Sequence, residues 1–598
     1  CFTPMAQPGA DTLGVSVHSL EEDEPHKDKD DALAEAQRRQ DYMDQLTKWV
    51  SGMKIVRDDI IRCVLAHEAL AYCGVAFRSK KTSSLSRLHR KSRAVASLDE
   101  FWSHSWQRGA LHKILCLLFL KNGLAASIAG TLGACVAAAL MRNNILDTRV
   151  YFGRMPIWST LFGTILAGLT LLFWRPRAKV FLDVCCIDQV QPQRKAEGIV
   201  SLGGILKRSK RLLILWDPTW AQRLWCIFEL AAFLHSRENS QRRNFQVLVR
   251  PTLLGPVALT VYCTIPVLGT LFLATHGMSN DELGHDRLLL LANGLNYGAY
   301  FAIIYRGVSV LRAYYSSLDL FHQQIQNFRL ADTKCTCCTV GHVGEGGVPL
   351  PCDRKIIVEC ICNWFGDVEN FEHEARAMLE DVVSQQIGWG LPYQYLLVVL
   401  APLLWVCLDV SYGSFAWQNW PAAWLTFGGA AYLFLIPNMA KMLSWAAWFT
   451  KRPRGRWDIL INLGLAGFSA ILFFGMLFTW SMATNVGLWY IDGLFPRNHY
   501  HPINMEARAW VFFAGHGVIT SLLWSCDFCK AITPPKKLKP AAMAAAMVRS
   551  CAGYLIRPVL LMAVAIGLLV AASLLGIWYL EYPACLDQVP QRQNCFYF

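Results

Sequence analysis

The sequence predicts an α-helical polytopic membrane protein, with about nine transmembrane helices, carrying a cytosolic α/β domain that two transmembrane hairpins split. Three observations predict it. Hydrophobic residues make up 54% of the 598 and charged residues 17%, with mean hydropathy +0.28, which is too apolar for a soluble chain of this length. Uncharged apolar stretches recur, such as the nineteen residues at 123–141 and the twenty at 155–174, each long enough to cross a bilayer. Between them lie soluble stretches in which short apolar strands alternate with helical patterns, the signature of a parallel sheet with crossover helices. The net charge of +13 sits mainly in Lys and Arg flanking the apolar runs. These residues read as topology determinants facing a lipid bilayer, and no nucleic-acid partner is expected. The 21 cysteines form no compact disulfide framework, which favours a reducing face for most of them.

In chain order, residues 1–30 hold the acidic run Glu21–Glu24 without periodicity and read as disordered. Residues 31–97 form a helical and basic region, with helices expected at 31–53 and 58–72 and a Lys/Arg-rich segment at 78–93. The first α/β piece, 98–122, has a strand at 98–103 and an amphipathic helix at 111–121, and a transmembrane hairpin follows at 123–174. The second piece, 179–250, reads as strand 180–184, helix 199–209, strand 212–216, helix 221–235 and strand 245–249. A second hairpin covers 252–305. Residues 306–392 hold a Cys-rich loop, an apolar strand at 355–362 and a helix at 367–386. About five more spans lie within 393–580, and 581–598 is an external tail.

Lys and Arg in the short loops put the three α/β pieces in the cytosol and the C-terminal tail on the opposite side. Each hairpin leaves and returns on one face of the membrane, so one sheet can be assembled across both insertions. Each piece alone has too few strands to bury a core.

The α/β residues carry a resemblance. Phe101-Trp102-Ser103, Val180-Phe181-Leu182-Asp183, the helix end at 206–210, the strand and turn at 212–220 and Trp225-Cys226-Ile227-Phe228-Glu229-Leu230 resemble a TIR (Toll/interleukin-1 receptor) domain. Ser103–Trp106 and Asp183–Gln189 are similar to TIR-like proteins of protists and plants, and the whole chain resembles multi-span proteins of dinoflagellates. The resemblance implies a flavodoxin-like parallel sheet and signalling through homotypic TIR–TIR association. It implies as an alternative the hydrolysis of NAD at the nicotinamide–ribose bond, with NAD as substrate and no resident cofactor. Under that alternative Glu229 is the essential carboxylate, stabilising the oxocarbenium-like charge that develops on the ribose. Ser103, Ser105, Trp106 and Asp188 would border the substrate, and Trp225, Cys226 and Asp183 would be structural. Ser105 and Trp106 stand where catalytic relatives often carry Arg, and a Gly-rich phosphate loop is missing. Glu229 also has a plain reading, as a carboxylate in the N-terminal half of its helix favoured by the macrodipole or paired with Arg223.

Cys335, Cys337, Cys338, Cys352, Cys360 and Cys362 crowd one region with His342. Zn²⁺ wants four thiolate or imidazole ligands. The C-x-C-C and C-x-C spacings are not C-x₂-C knuckles, so reduced thiols without metal are the expectation, with Cys335, Cys337, Cys338 and Cys352 the residues to watch. Asp409 and His516 are ionisable groups inside apolar stretches and carry a third reading, a transporter or channel regulated by the cytosolic domain. Cys585 and Cys595 are placed to pair in the external tail.

Overall fold

The computed structural model describes residues 29–78, 82–107, 109–147, 156–237, 246–276, 286–343, 351–386, 392–412 and 428–481, with 516, 517, 520 and 524. The chain forms two units. One gathers Cys1–Asn122, Leu171–Val257 and Ala313–Gln386, and the other gathers Gly123–Thr170, Ala258–Arg312 and Ile387–Phe598.

The first unit is built on a six-stranded mixed sheet of β1 (Arg62–Leu65), β2 (Arg93–Ala94), β3 (Leu98–His104), β4 (Lys179–Phe181), β5 (Ser209–Trp216) and β6 (Gln246–Pro251), in the order β2-β1-β4-β3-β5-β6. β4, β3, β5 and β6 run parallel, with Phe101 opposite Phe181 and Leu212, and Ile214 opposite Val249. The central strands are apolar on both faces because helices cover both: Phe101, Trp102 and all of 212–216 are buried. β1 and β2 add an antiparallel edge, Val64 pairing with Val180.

Five expectations are corrected. The sheet is mixed where a parallel one is expected, because β1 and β2 join it antiparallel. The strand expected at 180–184 ends at Phe181, and Asp183–Cys186 is a short helix. Residues 355–362 are not a strand. They belong to the helix Asp353–Phe365, in which Ile356, Ile357, Cys360, Ile361 and Trp364 are buried. Those positions repeat at helical spacing, and the apolar run of Ile and Val hides the 3.6 period. Gly366, at φ 85, ends the helix. Residues 58–72 are not one helix either, since Arg62–Leu65 forms a strand between β2 and β4 before the helix Ala66–Gly74 starts. The stretch 199–209 divides into the helices Pro192–Val200 and Leu202–Lys207, and Ser209 already belongs to β5. The other elements lie close to their expected places: Leu224–His235, Val368–Gln386 and the N-terminal helix Lys29–Ser51.

The second unit is helical among the described residues. Ala110–Arg142, which begins in the first unit, Leu254–Leu271 and Tyr393–Tyr412 are long and apolar enough to cross a membrane, and Trp158–Phe173 and Trp457–Leu472 are shorter apolar helices. Trp405 is fully buried, where Gly130 and Gly163 let helix backbones approach its indole: a Cβ at Gly163 would lie 2.5 Å from the ring. Arg312 is buried with its guanidinium bonded to Asn462 (2.7 Å), Asp458 (2.7 Å) and the Thr450 carbonyl. The span expected at 558–580, most of that at 509–525 and the cysteines Cys585 and Cys595 lie outside the described residues.

Candidate functional site

The C-terminal ends of parallel strands are where an α/β sheet leaves room for chemistry, because the crossover chains splay apart there. β3 and β5 bring a polar cluster to that end. Ser103, His104 and Ser105 are buried at the end of β3, and Asp217 is buried just beyond β5. The next helix, Leu224–His235, begins after a turn in which the Asp217 carboxylate accepts the Thr219 N–H at 2.8 Å and the Thr219 hydroxyl. The Thr219 hydroxyl oxygen also lies 2.8 Å from the Ser105 hydroxyl. Trp220 is fully buried and donates its indole N–H to Ser103 at 2.9 Å.

Glu229 reaches this cluster from the helix. Burial pushes its carboxyl up to about 8; the Ser103 hydroxyl pulls it down and the Asp183 charge adds to the rise. Part of the Glu229 side chain meets solvent, but Oε2 is shielded and has no hydrogen-bond partner among the described residues. An upward shift of this kind favours the neutral carboxylic acid over the carboxylate in the folded chain. The paired arrangement with Arg223 read from the sequence does not form among the described ion pairs. The expected partners are divided. Ser103 stands against Glu229, Ser105 is bound to Thr219, and Trp106 donates its indole N–H to Asp183 at 2.8 Å. Trp106, at 42% exposed, closes over the strand ends with Phe77, and both rings pack on His104.

Asp188 belongs elsewhere. It caps its own turn, accepting the Val190 N–H at 2.9 Å, and lines a shallow cleft with Arg57, Arg62, His89 and Arg194 that does not include Glu229. Asp183 accepts the Val184 N–H at 2.8 Å and is as much a clasp for Trp106 as a start for its short helix. Cys226 is buried against the His104 carbonyl, its thiol pushed well above the ordinary range by burial. Trp225 donates to Asp353 at 3.2 Å.

Two cluster members receive no role of their own in the sequence reading, although one lies inside the stretch Ser103–Trp106. Lys113 is buried, bonded to the Ser105 carbonyl and 3.7 Å from Asp217, so the loop after β5 is tied to the helix after β3. The available signal is a lysine on the core side of an amphipathic helix, where a charge needs a partner. His104 is the other: burial lowers its pKa while Asp183 opposes the shift, and Nε2 has no partner among the described residues.

Away from the sheet, the sulfurs of Cys335, Cys337, Cys338 and Cys352 gather with His342, and these are the residues that could hold a metal. In the second unit Asp409 is fully buried and accepts the N–H groups of Ser159 and Thr160, both at 2.8 Å. Its carboxylate caps the start of the helix Trp158–Phe173. His516 is partly buried and offers its carbonyl to Thr520 at 2.7 Å. Compared with known proteins, the chain matches no family model, no curated protein and no solved structure.

Proposed function

We propose that the chain is a membrane-anchored signalling protein whose α/β unit, TIR-like and cytosolic, acts by associating with the same unit of a second copy. One observation carries this reading: a single α/β unit is drawn from three separate segments, and the chain between them runs through apolar helices long enough to span. Anchors at several points of one domain hold it at a membrane surface, which raises the effective concentration of neighbours for association. Nine spans, with the C-terminal tail outside, follow from the apolar stretches and the Lys/Arg bias. The test is pairwise energy transfer between labelled full-length chains in liposomes at rising density. Transfer no greater than that of an unrelated multi-span protein at the same density overturns the proposal.

The polar cluster favours a second reading, the hydrolysis of NAD with Glu229 as the essential group. A carboxyl held near 8 beside a hydroxyl at the strand ends is a functional candidate on physical grounds. A cationic nicotinamide placed beside it would favour the ionised form, and that carboxylate could then stabilise the ribosyl cation. Trp106 would have to swing off Asp183 to admit a nucleotide. Nicotinamide release from NAD by the full chain, lost in Glu229→Gln, is the expected result under this reading. Release that is absent, or unchanged in the variant, removes it.

A further inference from the structure

We propose that Cys337, Cys338, His342 and Cys352 bind one Zn²⁺ ion, and that this ion fixes the start of the helix carrying Glu229. The four candidate ligand atoms all lie within 4.8 Å of one another. A tetrahedral Zn²⁺ with Zn–S bonds of about 2.3 Å separates its sulfurs by about 3.8 Å. Cys337 to Cys338 and Cys338 to Cys352 are each 3.9 Å, Sγ to Sγ. Cys335 lies 3.0 Å from Cys337, too close to share the same tetrahedron, so it stands outside the ligand set as a neighbouring thiol.

The backbone is shaped for this set. Cys337 and Cys338 sit on the one-turn helix Thr336–Thr339, after which Gly341 and His342 both adopt left-handed conformations, at φ 66 and φ 60. For histidine that conformation costs on the order of 1 kcal/mol, so something must hold it. The His342 N–H donates to the Cys337 carbonyl at 2.8 Å, which folds residue 342 back onto the cysteines. His342 Nε2 is shielded from solvent and has no hydrogen-bond partner among the described residues, a buried nitrogen with a free lone pair or proton beside the thiols. The Asp353 N–H points at the Cys337 sulfur at 3.3 Å, the kind of outer contact that steadies a metal-bound thiolate.

The cluster also joins elements that the sequence keeps apart. Lys334, next to Cys335, donates its N–H to the Gln222 carbonyl at 2.6 Å and accepts the Leu224 N–H at 3.2 Å, closing on the first residue of the helix Leu224–His235. Asp353, next to Cys352, is fully buried and accepts the Trp225 indole N–H at 3.2 Å. An ion bound to Cys337, Cys338, His342 and Cys352 would therefore lock both contacts at once, within the two turns of chain before Glu229.

The test is metal analysis of the full-length chain purified in detergent under reducing conditions. About one Zn²⁺ per chain is expected. Co²⁺ in its place is expected to give the intense visible bands of a tetrahedral thiolate site. Cys352→Ser and His342→Ala should each lower metal content at least tenfold, while Cys335→Ser retains it. His342→Cys should keep the metal and shift the cobalt bands, which separates loss of a ligand from loss of the fold. Wild-type protein that holds no zinc and gives no cobalt bands overturns the proposal. Loss of metal in Cys335→Ser equal to that in Cys352→Ser overturns the assigned ligand set.

Discussion

Replacing Glu229 with Gln tests the electrostatics of the strand-end cluster directly. The carboxyl titrates near 8 in the folded chain against 4.5 when exposed, and the main cause is burial. A folded-state value above the unfolded one means that the native state holds a proton the unfolded chain has released. Stability from this group is therefore complete below about pH 4.5 and declines as pH rises toward 8. At about 1.4 kcal/mol per pH unit the mismatch reaches roughly 3 kcal/mol at pH 7. Water at the exposed part of the side chain screens some of this, which leaves about 1–3 kcal/mol. Gln keeps the shape and can still accept from Ser103, but it does not titrate. The assay is thermal unfolding of the full chain in nanodiscs, followed by tryptophan fluorescence between pH 5 and pH 8. Wild type should lose stability across that interval relative to Glu229→Gln, with the two close together at pH 5. Parallel curves would refute the claim that Glu229 is protonated in the folded chain.

Three further substitutions probe other parts of the structure. Gly163→Ala places a methyl 2.5 Å from the Trp405 ring and should cost about 1–3 kcal/mol in detergent melts, whereas Gly168→Ala, with no neighbour within 4 Å, should be neutral or mildly stabilising. Lys113→Met leaves the Asp217 carboxylate buried without its cation and should cost about 3–5 kcal/mol; adding Asp217→Asn should restore part of that, measured by the same melts. Asp409→Ala removes the acceptor for two helix-start N–H groups and should lower stability by about 1–2 kcal/mol. If Asp409 only caps the helix, solute flux in liposomes should be unchanged in that variant. A specific loss of flux would restore the transport reading.

The strands at the centre of the sheet are legible because parallel strands buried on both faces read as unbroken apolar runs, as Leu212 to Trp216 do. The same rule misleads at 355–362, where two isoleucines and a valine in succession imitate such a run. There the helical stripe shows only when Cys360 and Trp364 are counted with Ile356 and Ile357. The strand Arg62–Leu65 is illegible for another reason: four residues have too little pattern, and pairing with β2 and β4 decides their conformation. Glu229 and Ser103 can be singled out from local sequence, but their environment cannot. The rise in the Glu229 pKa depends on burial and on Asp183, and the Lys113–Asp217 pair joins residues far apart in the chain. A local motif names a candidate group, and only the packing around it sets its protonation state.

The same distinction explains how a sheet tolerates long insertions between its strands. Loop-closure entropy grows only with the logarithm of length, by about 0.6 kcal/mol for each doubling, so a hairpin of apolar helices costs a domain little more than a long loop does. What matters is that the chain leaves and returns at neighbouring points. At the first insertion it does: Asn122, the last residue before the chain departs from the α/β unit, donates its side-chain amide to the carbonyl of Leu171, the first residue after it returns, at 2.8 Å. Asn122 is nearly fully buried and the bond is partly so, which reduces competition from water at this closure. With the ends clasped, β3 and β4 can pair in register at Glu100–Val180 and Phe101–Phe181 whatever lies between them. The α/β unit is thus continuous in space because its first interruption is closed at its base, and the sheet does not depend on the length of what is inserted there.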